Sequence, residues 1–89
     1  MAVRVTRLDE QLTREELATA SRYSLLIRWS PEDDAYIAEV PELAGVASHG
    51  TTVAEAAEMA HEAAAAWISA KRAWGRPIPN PRLFDDPED

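Results

Sequence analysis

The side chains in this sequence that could do chemistry are carboxylates and two histidines, and their spacing decides how far each reading goes. Asp33 and Asp34 could join Glu39 as oxygen ligands for Mg²⁺, the basis of a metal-dependent nuclease. The aspartates fall in Ser30-Pro31-Glu32-Asp33-Asp34, however, where aspartate is common for backbone reasons alone. His49 precedes Gly50 and His61 precedes Glu62, and neither belongs to an HExxH pattern or has a second histidine at ligand spacing. A dyad of His49 with Ser48 fails because adjacent residues of a strand point to opposite faces. With three glycines there is no phosphate-cradling loop and no nucleophile elbow, and with no cysteine there is no disulfide or thiolate site. Trp67 and Trp74, seven apart, suit packing or an interface better than ligand stacking. No catalytic, metal or cofactor site is expected.

The carboxylates gain meaning as a distribution. Between Trp29 and Ala70 there is no Lys or Arg, whereas Glu32, Asp33, Asp34, Glu39, Glu42, Glu55, Glu58 and Glu62 all fall there. The formal charge of −7 is therefore concentrated in the middle of the chain. Such a segment repels a phosphate backbone and attracts a basic partner; the bland alternative is a solvated acidic face. Direct nucleic-acid binding is not expected, and the partner-contact candidates are Asp33, Asp34, Glu39 and Glu42.

The elements that must hold these groups out can be read in order. Eighty-nine residues make one small domain with a modest core. Residues 1–21 form an extension, with Ala2–Leu8 extended and Thr13-Arg14-Glu15-Glu16 opening a short helix to about Ala20. A basic strand before a helix weakly resembles half of a ribbon-helix-helix arm, but the next segment is a strand rather than a second helix. From Arg22 to Trp29 the chain alternates, with Tyr23, Leu25, Ile27 and Trp29 on one face and Ser24, Leu26 and Arg28 on the other. A turn over Ser30–Asp34 leads to a second strand, Ala35–Val40, ended by Pro41. Gly45 lets the chain corner over Leu43, and Val46–Ser48 begins a third strand ending at Gly50.

The clearest element follows. Thr52 and Glu55 form a capping box, Lys71 and Arg72 suit a last turn, and Gly75 and Pro77 end a helix from Val53 to Trp74, roughly 33 Å long. Val53, Ala56, Ala57, Ala60, Ala63, Ala64, Trp67, Ala70 and Trp74 make one stripe, with Met59, Ile68, Ala65 and Ala66 outside it. So wide an apolar arc predicts a second burial surface, most simply a subunit contact, with Met59, Trp67, Ile68 and Trp74 as its candidates. Pro77, Pro79 and Pro81 impose an extended path, Arg82-Leu83-Phe84 could add a fourth, edge strand, and residues 85–89 are an acidic tail. The expected fold is α+β: a three-stranded antiparallel sheet with one long helix on one face, over residues 22–84. No signal-peptide core and no run of about 18 apolar residues is present, so a cytoplasmic protein without membrane contact is expected.

In this order the motifs resemble the HicB family of antitoxins. Pro41-Glu42-Leu43-x-Gly45 resembles that family's Pro-Asp-Leu-Pro-Gly corner, and Gly50-x-Thr52-x-x-Glu55-Ala56 its Gly-(Asp/Glu)-Thr-x-x-Glu-Ala helix entry. Pro77-Ile78-Pro79 resembles its Pro-x-Pro exit, and the match spans about residues 22–82. The resemblance implies a partial ribonuclease-H-like fold, self-association as a dimer or tetramer, and a role in a type II toxin-antitoxin system. The partner implied is a small basic HicA-type toxin, an mRNA-cleaving ribonuclease whose active site the antitoxin blocks. Many family members carry a C-terminal DNA-binding domain; the sequence reaches Asp89 without one, and DNA binding is not carried over. The alternatives are a self-associating module with an unrelated partner, and a ribonuclease-H-like metal-dependent nuclease on the same sheet.

Overall fold

A computed structural model describes residues 14–84. The expectations for Ala2–Leu8, for Thr13 as a helix cap and for the acidic tail at 85–89 lie outside the described residues. In chain order the elements are α1 (Arg14–Ala20), β1 (Leu26–Ser30), β2 (Ala35–Glu39), β3 (Ala47–Gly50) and α2 (Val53–Ala73). The three strands form one antiparallel sheet in the order β1-β2-β3, with α2 across one face. The fold is α+β, as the sequence predicts.

Local chemistry explains where β1 and β3 begin. β1 starts at Leu26 rather than near Arg22, because the preceding amides close a turn after α1: Ser21, Arg22 and Tyr23 donate to the carbonyls of Leu17, Thr19 and Ala20. β3 starts at Ala47 because Val46 closes the corner, its N–H donating to Leu43 O while its carbonyl accepts from Val40 N. Within that corner Leu43 is buried, and Gly45 has φ +82, a conformation costly for other residues. No fourth strand forms over 82–84 among the described residues. Arg82 instead donates its amide to the Glu42 carboxylate at 2.8 Å.

Register sorts the sheet into two faces. Ile27 lies opposite Ala38, Trp29 opposite Tyr36, Tyr36 opposite Gly50 and Ala38 opposite Ser48, and this face meets α2. The Trp29 ring meets Tyr36 edge-on, with centroids 5.0 Å apart. Gly50 sits so close to the helix that an added Cβ would fall 2.5 Å from Ala56 N, a backbone atom that cannot turn aside. This contact, with the fully buried Ala38, Ala56 and Ala60, draws sheet and helix together at small side chains.

The helix starts and stops as its sequence dictates. Thr52 Oγ1 accepts from Glu55 N at 3.0 Å. The reciprocal arm reaches one residue further back than a capping box would, for Glu55 Oε1 accepts from Thr51 N and Thr51 Oγ1, both at 2.7 Å. At the far end Gly75 (φ +70) donates to Arg72 O and Arg76 to Lys71 O, the paired bonds of a Schellman motif.

The buried face of α2 differs from the expected stripe. Ala56, Ala60, Ala64 and Ile68 are fully buried, as is Ala65, whereas Val53 is 50% and Trp74 69% exposed. Each step of four residues turns about 40° around a helix axis, so this row winds roughly 120° from end to end. One helix thereby meets both the sheet and α1 along its length. Ile68, expected off the stripe and available to a second subunit, lies instead in the core and has no surface to offer. The second burial surface predicted for a subunit contact is taken up in part by α1, whose Leu17 and Ala20 join the core, and by Ile78 of the exit segment.

Candidate functional site

The hairpin tip is built by its own backbone requirements. Four residues, 31–34, join β1 to β2, and Ser30 and Ala35 close the loop as a pair. Ser30 Oγ donates to Asp33 Oδ2 at 2.9 Å and accepts from Asp33 N at 3.3 Å. Asp34 sits at φ +54, a region aspartate tolerates better than most residues. With these needs met, the charges of Glu32, Asp33 and Asp34 remain exposed to solvent.

Register then places the tip beside the start of α2. Tyr36, at the tip end of β2, lies opposite Gly50, two residues before the Thr52 cap. The same end of the molecule therefore carries Glu55 and, one turn along, Glu58, both exposed. The Glu55 carboxyl is held below the usual range by hydrogen bonds from the Thr51 amide and hydroxyl, with a smaller contribution from His49. Five carboxylates share this end. Because α2 runs away from it, Lys71 and Arg72 in the last turn, with Arg76 beyond, mark the opposite end.

Other candidates separate. Glu39 is at the far end of β2, opposite Leu26 and Ala47, five residues or roughly 17 Å along the strand from Asp34. Asp33, Asp34 and Glu39 are therefore not brought together, and among the described residues no group of three His, Asp or Glu could hold a metal ion. Ser48 faces the helix with Ala38, while His49 faces away beside Ile37, so the dyad does not form. His61 is on α2.

Glu42 is engaged within the fold itself. Its carboxylate accepts from Ser24 N at 3.1 and 3.2 Å, from Ser24 Oγ at 2.9 Å and from Arg82 N at 2.8 Å. Burial pushes its pKa up, but these hydrogen bonds outweigh burial and hold the carboxyl below its ordinary value. Nearby, the Tyr23 hydroxyl donates to Pro79 O, and burial, with the Glu42 charge behind it, pushes the phenol's pKa up. Glu42 thus ties the entry to β1, the corner and the exit segment to one another. No local spacing signals this, since its donors lie 18 and 40 residues away.

Of the helix candidates, Met59 is 43% exposed and Trp67 is half-buried with Lys71 Nζ 5.0 Å above its ring. Across the molecule, no described element covers the face of the sheet away from α2. That face holds a shallow depression of about 210 Å³ lined by Leu26, Arg28, Ser30, Ile37 and Glu39, with Trp29 of the edge strand β1, whose side chain belongs to the other face, at its margin. No described helix is long and apolar enough to cross a membrane.

Comparison with known proteins bears on what these surfaces meet. Residues 23–88 match the family described as HicB-like antitoxin of bacterial toxin-antitoxin system. No curated protein and no solved structure gives a significant match.

Proposed function

Because the chain belongs to the HicB-like antitoxins of bacterial toxin-antitoxin systems, we infer that it binds and neutralises a small basic ribonuclease toxin of the HicA type. The observation that supports this reading most is the acidic end, where Glu32, Asp33 and Asp34 of the tip stand beside Glu55 and Glu58 of α2. A basic protein that grips RNA through cations would meet there a cluster of carboxylates held by a hydrogen-bonded hairpin loop and a capped helix start. The role is one of occupancy rather than catalysis: the antitoxin covers the toxin's substrate-binding surface in the cytoplasm, where mRNA is cleaved. Asp33 and Asp34 are the principal contacts, Glu39 stands apart on the open sheet face, and Glu42 acts through the fold it holds together. The antitoxin self-associates, so that one particle offers more than one acidic end.

Co-expression with the product of the neighbouring gene tests this reading. A small basic ribonuclease should co-purify with the chain, and its cleavage of mRNA should be suppressed in the complex. If no such ribonuclease is encoded nearby and none co-purifies, the reading fails.

A further inference from the structure

The side of the sheet that α2 leaves open carries Leu26 and Arg28 from β1, Ile37 and Glu39 from β2, and Ala47 and His49 from β3. Leu26 is 40% exposed, Arg28 and Glu39 are exposed, and the side chains of Leu26 and Ile37 point away from α2. We propose that this face is the contact between two copies of the chain, arranged face to face about a two-fold axis.

The charges on the face favour a second copy over a basic toxin. Arg28 lies opposite Ile37 and Glu39 opposite Leu26, so cation and carboxylate are diagonal neighbours on adjacent strands, around two apolar side chains. Such a diagonal is self-complementary. A two-fold axis passing between the two positions lays Arg28 of each copy over Glu39 of the other, making two identical ion pairs beside Leu26 and Ile37. A basic partner gains little from a face whose Arg28 offsets its Glu39, and finds its counter-charge at the tip instead. Size sets the strength. Three strands about 4.8 Å apart and about 17 Å long give a footprint well below the roughly 800 Å² per partner of a standard interface, so the dimer is reversible and concentration-dependent. The inference rests on the self-association within the reading above and names its surface.

Sedimentation equilibrium of the isolated antitoxin tests it with Arg28→Glu and Glu39→Arg. Each reversal alone places two like-charge pairs in the contact and weakens self-association by about tenfold or more. An equimolar mixture of the two variants restores opposite charges at both pairs, and a heterodimer returns to within about threefold of the wild-type affinity. Circular dichroism identifies any reversal that does not fold, and Arg28→Gln or Glu39→Gln then replaces it, with loss of affinity as the expected result. A chain that stays monomeric at hundreds of micromolar overturns the proposal, as does a dimer indifferent to both single reversals or a mixture that stays dissociated. Toxin capture, read in parallel by co-purification, separates failure of this contact from failure of the antitoxin reading.

Discussion

At the scale of single residues, Glu42 shows how a motif position can look like a contact and act as a tie. Its carboxylate receives four donor contacts, from the Ser24 amide to both oxygens, the Ser24 hydroxyl and the Arg82 amide. Removing it in Glu42→Ala leaves those donors to partly accessible water, and should cost about 1–3 kcal/mol in urea unfolding. Its pKa is depressed in the folded chain, because the hydrogen bonds overcome the upward push of burial. A depressed carboxyl contributes stability that is present above its unfolded pKa, near the ordinary value of 4.5, and is lost as pH falls through the folded value. The difference in unfolding free energy between wild type and Glu42→Ala should therefore be constant near neutrality and shrink below about pH 4.5. A difference that persists unchanged to pH 2 would assign the cost to packing rather than charge. Tyr23 works in the opposite sense: its raised pKa favours the neutral phenol, so what it contributes is present below pH 10 and declines above it.

At the scale of elements, the long helix is where sequence and structure diverge most informatively. Its ends were legible because caps are local: Thr52 bonds three residues ahead, and the Gly75 turn closes within five. The corner at Gly45 and the hairpin at 31–34 were legible for the same reason, since each encodes its geometry in adjacent residues. The direction the helix faces was not. A stripe drawn through Trp67 and Trp74 assumes one flat partner, whereas the buried row from Ala56 to Ile68 winds from the sheet toward α1. That second partner is a seven-residue helix whose Leu17 and Ala20 imply tertiary packing without saying against what, so its sequence does not name the helix it covers. The acidic end was legible as composition but not as a place, because bringing 32–34 beside 55–58 depends on strand register. Ile68→Ala provides the test. If Ile68 is core, the variant loses about 2–4 kcal/mol in thermal or urea unfolding while the folded chain's self-association constant is unchanged. Weakened association without loss of stability would return Ile68 to an interface.

At the scale of the whole molecule, what distinguishes this chain is the separation of its charges. The described structure gathers the tip and the start of α2 at one end and sends Lys71, Arg72 and Arg76 to the other. For a basic partner this is a steering field, acting before contact and screened over about 8 Å at physiological salt. Steering acts mainly on the association rate, which distinguishes it from contacts that act on dissociation. Neutralising the tip with Asp33→Asn and Asp34→Asn is the cleanest probe. Asparagine keeps an acceptor for the Ser30 hydroxyl and tolerates the positive φ of Asp34, so the loop is kept while two charges go. Stopped-flow binding of the cognate toxin should show the association rate falling about three- to tenfold at low ionic strength, with the gap closing near 1 M salt. Neutralising Lys71 and Arg72 at the far end should leave the rate equal or faster, since those charges repel the same partner. If both pairs of substitutions slow association equally, the toxin is not guided by the acidic end. If the tip variant instead changes only dissociation, Asp33 and Asp34 act as contacts after docking and the field of the whole molecule contributes little.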